Sequence, residues 1–213
     1  MKMTTRKNFI YNLSYQILSR ILPFIIVPYI SRTLGAEKIG IYSYTYSIVY
    51  YFIIFAMLGL ANYGNRTIAK VKDNKKNLAV TFKEIYYMQL FSSTIMTLCY
   101  AGYLILFSKQ DQTIAVAQGL YMFSCIFDIS WFFFGMEKFR LSTIINTFIK
   151  ILSLICIFVF VKSADNLLAY TIILGGSTLL SHLALWPFLP KDIFKTKRPR
   201  KRNIYLLYAC GKQ

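Results

Sequence analysis

The sequence predicts an all-α polytopic membrane protein with six transmembrane helices, and three observations carry that expectation. Six apolar runs reach the roughly 20 residues that a helix needs to cross a hydrocarbon core. Only 15% of the 213 residues are charged, against a usual quarter, while 56% are hydrophobic. Lysine and arginine fall in alternate connections between the runs, as they do where cytoplasmic loops are basic. A net charge of +17 on so apolar a chain argues against a nucleic-acid partner, because basic residues there accompany an ordinary polar surface. The lipid bilayer is the partner that this composition implies.

The first run, 9–30, follows Lys2, Arg6 and Lys7. It is too long for a signal peptide and lacks a small-residue cleavage site, so it reads as a retained helix. It carries Asn12, Ser14, Gln16, Ser19 and Arg20 together with Pro23 and Pro28. Proline bends a membrane helix where neighbours or cavity water satisfy the freed carbonyl, so this run reads either as a polar cavity wall or as a static kink. Gly35 and Gly40 bracket a short outer link and are expected to let it turn. The second run, 41–60, has tyrosines at its ends (Tyr42, Tyr44, Tyr46, Tyr50, Tyr51, Tyr63), where amphipathic rings favour the headgroup layer.

The longest link, 61–84, holds Arg66, Lys70, Lys72, Lys75 and Lys76, and Lys83 and Glu84 at its end are placed to snorkel. Runs 85–107, 113–136, 141–161 and 167–189 follow with short links. The sixth run contains Gly175, Gly176, Ser177 and Ser181, a small-residue pattern for close helix packing, and the chain's one histidine, His182, near Trp186. His182 reads as a packing contact rather than a proton relay. Residues 1–190 thus form one membrane lobe, and 191–213 a basic tail. Eighteen lysines and arginines lie at the amino terminus, in the links after the second and fourth runs and in the tail, whereas Arg32, Lys38, Lys109 and Lys162 occupy the alternate links. Both termini are therefore expected in the cytoplasm.

Three charges interrupt apolar runs. Arg20 and Lys150 lie near the middle of the first and fifth, and Asp128 lies somewhat toward the cytoplasmic side of the fourth. Each costs about 2.5–3.5 kcal/mol at the centre of an inserted helix, so each marks a partner or a pathway. One reading is a structural salt bridge from Asp128 to Lys150 or Arg20. The other is a hydrated cavity in which Arg20 and Lys150 hold an anionic group and Asp128 balances them. Cys99, Cys125, Cys156 and Cys210 are scattered singly, which fits neither a disulfide framework nor a zinc site. With no phosphate-binding glycine loop and no paired carboxylates, the sequence suggests transport rather than catalysis, with no cofactor or metal.

The strings SRTLGAEKIGIYSYTYS (31–47), GLANYGNRTIAK (59–70) and DISWFFFGMEKF (128–139) resemble the Wzx-type oligosaccharide flippases of the multidrug/oligosaccharidyl-lipid/polysaccharide exporter superfamily. The resemblance implies two six-helix lobes around a central cavity, of which this chain supplies the amino-terminal one. It implies translocation of an undecaprenyl-pyrophosphate-linked oligosaccharide across the bacterial cytoplasmic membrane, driven by an ion gradient, for surface polysaccharide. Asp128, Trp131, Gly135, Glu137 and Lys138 fall in the fourth-helix motif of that family. The length implies a chain cut short in the link to the second lobe, an inactive fragment, or a half-transporter completed by a second lobe or a homodimer partner. A drug exporter of the same superfamily is the remaining alternative.

Overall fold

Inside a bilayer no water is available to bond backbone amides, so an apolar chain must satisfy them within helices. The computed structural model describes residues 24, 26–106, 111–191 and 193, and these are helical with no strand among them. The helices are α1 (Gly35–Met57), α2 (Leu60–Val71), α3 (Lys75–Leu106), α4 (Gln112–Phe127), α5 (Ser130–Gly135), α6 (Phe139–Phe160) and α7 (Leu167–Leu183). Residues 26–33 are helical ahead of α1, and 3-10 turns occupy Ala164–Asn166 and Trp186–Phe188. Five stretches among the described residues are long and apolar enough to cross a membrane. Most of the first run expected from the sequence lies outside the described residues, including Asn12, Gln16 and Arg20, as does the tail beyond Ile193.

The first link is tighter than the sequence suggested. Residues 26–33 stay helical through Pro28, the chain turns at Leu34, and Gly35 opens α1 with φ +78°. Gly35 makes the turn as expected, since a side chain is disfavoured at that φ. Gly40 does not bracket a link: it lies inside α1. Nothing in residues 36–39 resists a helix, so α1 begins six residues before its apolar run.

The second link departs further. Leu58 and Gly59 both adopt left-handed backbone, at φ 41° and 72°, and end α1. The basic stretch beyond them is helix α2. Leu60, Gly64 and Ile68 recur every four residues and are its buried stripe, while Arg66 and Lys70 are exposed. Asn74 then caps α3, its side-chain oxygen accepting from the amides of Lys76 and Asn77 at 3.1 Å each. At 32 residues α3 is about 48 Å long, well beyond a hydrocarbon core of about 30 Å. Its first turns therefore extend past the core on the side where α2 lies.

Helix α4 is the centre of the bundle and packs against α1, α3 and α7, while α6 lies along α7 and α2 sits on α5. The cluster around α2, α3 and α5 holds Ile68, Phe82, Ile85, Trp131, Phe132 and Leu185. A second, where residues 26–34 meet α4, α6 and α7, holds Ile30, Leu34, Ile114, Ile157, Val161 and Leu167. There the Tyr29 hydroxyl donates to the Val161 carbonyl at 2.7 Å, just past the end of α6. Outward positions such as Phe91, Leu98 and Phe148 are exposed, as suits helices whose surroundings are acyl chains. Gly175 lets α7 approach α4 closely, because a Cβ there would stand 3.0 Å from Leu120 Cβ, whereas a Cβ at Gly176 would meet nothing within 4 Å.

Candidate functional site

The fourth apolar run is two helices. α4 stops at Phe127, Asp128 is extended at φ −71° and ψ 105°, and α5 starts at Ser130. A helix end leaves its last carbonyls without intrahelical donors, and at membrane depth water cannot supply them. Side chains do so here. The Gln89 amide of α3 donates to the carbonyls of Cys125 and Asp128, at 2.7 Å each. The Trp131 indole of α5 donates to the Asp128 carbonyl at 3.1 Å and to Gln89 Oε1 at 2.8 Å. From the end of α7 and the turn after it, His182 Nδ1 lies 2.9 Å from the Ser124 carbonyl, and the Trp186 indole donates to the Phe127 carbonyl at 2.9 Å. The break is thus held from three sides by four side chains.

Asp128 lies at the break itself. Its Oδ1 accepts the Ser130 amide at 2.9 Å, which caps the start of α5, and stands 3.9 Å from His182 Nε2. Lys150 lies in the middle of α6, half-buried, and its carbonyl accepts the Ser153 hydroxyl at 2.8 Å. Arg20, Asn12 and Gln16 lie outside the described residues.

The motif residues Trp131, Gly135 and Glu137 all bear on α2. A Cβ on Gly64 would stand 2.7 Å from the Trp131 ring, and one on Gly135 would stand 2.7 Å from Ile68 Cβ and 2.8 Å from the Asn65 carbonyl. Two segments distant in sequence, 59–70 and 128–139, are therefore one packed unit. Glu137 closes it, its Oε1 accepting from Lys72 Nζ at 2.7 Å. That hydrogen bond pushes the Lys72 ammonium's pKa up. The pair's contribution is accordingly present at neutral pH and is lost as pH rises through the raised value.

Glu137 also carries backbone strain. After α5 the amide of Lys138 reaches the Phe133 carbonyl and that of Glu137 the Phe134 carbonyl, at 2.9 and 3.0 Å, with Glu137 at φ 56°. This helix ending ordinarily takes glycine. Replacing Glu137 with glycine is expected to raise the melting temperature, because relief of about 1 kcal/mol of left-handed strain outweighs an exposed ion pair. Glu137→Ala, which loses the pair and keeps the strain, is expected to lower it. Thermal unfolding of the two variants in detergent tests the difference in sign.

Sequence reading missed Gln89, which is uncharged and so stands out little in an apolar run, and Gly64, whose importance lies in what it touches. Among the described residues no group of three or more histidine, cysteine or acidic side chains is arranged to hold a metal, and Cys99, Cys125 and Cys156 are free thiols.

Long apolar helices joined by short turns, with an internal break whose carbonyls are satisfied by buried side chains, define a multi-pass membrane protein. The chain belongs to the polysaccharide biosynthesis protein family, whose profile matches residues 5–208. It is also similar to the protein of Escherichia coli (strain K12) named "Putative O-antigen transporter", with 23% identity over 183 residues. That alignment takes in 84% of this chain and 44% of the relative, so the chain spans less than half the relative's length. No solved structure matches the chain.

Proposed function

We propose that the chain is the amino-terminal lobe of a flippase rather than an enzyme, moving an undecaprenyl-pyrophosphate-linked oligosaccharide from the inner to the outer leaflet of the bacterial cytoplasmic membrane. The observation that carries this reading is the family match over residues 5–208, together with a relative named as an O-antigen transporter. Residues 1–190 are the lobe, 191–213 lead toward a second lobe or a second copy, and both termini are cytoplasmic. Arg20 and Lys150 hold the pyrophosphate, Asn12 and Gln16 line the polar wall, and Asp128 balances the charge beside them. The position of Lys150, in the middle of an apolar helix where a lone charge is costly, supports a polar neighbour for it.

The test is export by the lobe joined to its complement. Lys150→Glu is expected to abolish surface polysaccharide while leaving the protein in the membrane at the wild-type level, and Lys150→Arg is expected to retain export. Normal polysaccharide from Lys150→Glu would refute the anion site.

A further inference from the structure

Helix α6 carries a polar stripe along one side. Ser142, Thr143, Asn146, Lys150 and Ser153 fall within about 100° of one another around the helix, whereas Ile144, Phe148, Ile151 and Ile155 occupy the opposite side and are exposed. Ser142, Thr143 and Ser153 are buried. Two hydrogen bonds along the stripe stay within the helix: Asn146 Nδ2 donates to Ser142 Oγ at 3.4 Å, and the Ser153 hydroxyl donates to the Lys150 carbonyl at 2.8 Å. Asn146 Oδ1, by contrast, is buried and meets no hydrogen-bond donor among the described residues. An amide oxygen left bare is costly where water cannot reach it, so the stripe calls for a donor from another membrane segment.

We infer that residues 9–23 dock along this stripe, with Asn12, Gln16 and Arg20 at the levels of Ser142, Asn146 and Lys150. The residues that follow them already begin the interface. The Tyr29 hydroxyl bonds the Val161 carbonyl, its ring lies 4.6 Å from that of Phe158 between centroids, and Ile30 and Leu34 share a cluster with Ile157 and Val161. Residues 26–33 are helical, and the first and fifth apolar runs cross in the same sense because each crossing reverses the last. Counting back from Tyr29 therefore leads along α6 toward its start. Tyr29 stands midway between the levels of Phe158 and Val161, and helices of equal rise keep that offset of about 130 residue numbers throughout. Asn12, Gln16 and Arg20 recur every fourth residue, as do Ser142, Asn146 and Lys150, so the two stripes match in spacing as well as in level. The Gln16 amide has the donors that Asn146 Oδ1 lacks. Amide and hydroxyl partners hold this interface, which depends neither on the nature of the cargo nor on a second lobe.

Disulfide trapping in the full chain tests the register, because the bond forms only where Cα atoms come within about 7 Å. With Cys99, Cys125, Cys156 and Cys210 replaced by alanine, Gln16→Cys combined with Asn146→Cys is expected to cross-link within one chain in native membranes, and Asn12→Cys with Ser142→Cys likewise. Gln16→Cys with Phe148→Cys, on the exposed side, is expected to stay reduced. Cross-linking to Phe148→Cys in place of Asn146→Cys, or no link at either stripe pair, would overturn the inference. So would a link that joins two chains, since a second copy would then be what covers the stripe. A second measurement leaves the native cysteines in place. Gln16→Leu and Asn146→Leu are each expected to lower the melting temperature in detergent by stranding the other amide, and the double variant is expected to lie above the sum of the two shifts because both polar groups are gone. Strictly additive shifts would count against the pairing and overturn it.

Discussion

Trp131→Ala is expected to cost about 3–5 kcal/mol, a large part of the roughly 5–15 kcal/mol by which typical domains are stable. The indole is 1% exposed, lies against Phe82 with ring centroids 5.4 Å apart, and covers Gly64. Its nitrogen meets two acceptors, Gln89 Oε1 and the Asp128 carbonyl. Truncation would therefore open a cavity and leave Gln89 with a buried oxygen that nothing else is shown to satisfy. The measurement is the midpoint of denaturant unfolding in detergent, read beside the amount of protein that accumulates in the membrane. Trp131→Phe separates the two contributions: it keeps a ring over Gly64 and loses only the donor, for which about 1–3 kcal/mol is expected. A Trp131→Ala protein that unfolds at the wild-type midpoint would show that the break stands without this side chain.

The same residue shows how far a linear reading reaches. Helix lengths are legible because the bilayer imposes them. The run read as 141–161 is α6 at Phe139–Phe160, and the run read as 167–189 is α7 with the turn that follows it. Hydropathy averages over a window, however, and the break at Asp128 and Ile129 falls inside a window that remains apolar on both sides. The composition there shows only that a charge, Asp128, interrupts an apolar run. It did not reveal which carbonyls the break frees. Those partners come from Gln89, 39 residues earlier, and from His182 and Trp186, more than 50 residues later. Helix α2 was hidden for the opposite reason. Its mean hydropathy is near that of a loop, and only the spacing of Leu60, Gly64 and Ile68 betrays the buried stripe.

That stripe matters because segments 59–70 and 128–139 constrain each other. If each served only its own local structure, substitutions in one would be independent of the other. The contact of Gly64 with Trp131, that of Gly135 with Ile68 and the Lys72–Glu137 pair make them interdependent. Anything that shifts α5, including a change at Asp128, is then passed to α2.

The strictest test of that coupling is Gly135→Ala, expected to destabilise by about 1–3 kcal/mol or somewhat more, because the added methyl would meet groups that cannot yield. Its nearest neighbours would be a backbone carbonyl, that of Asn65, at 2.8 Å and the Cβ of Ile68 at 2.7 Å, so α2 as a whole must lift from α5. Lifting separates Lys72 from Glu137, and trypsin cleavage at Lys70 and Lys72 should accelerate, which gives a local readout beside the global one. Gly64→Ala should behave alike, since its methyl would meet an indole pinned by two hydrogen bonds. Part of that loss should be recovered by Trp131→Phe in the double variant, where the smaller ring returns space, so the two substitutions should cost less together than the sum of their separate effects. Glycine itself is not the cause. At Gly102 and Gly176 a Cβ would meet nothing within 4 Å, and alanine there is expected to be neutral or to stabilise by about 0.5–1 kcal/mol through helix propensity. If all four alanine variants moved stability in the same direction, the close approach of α2 to α5 would not be what these glycines provide.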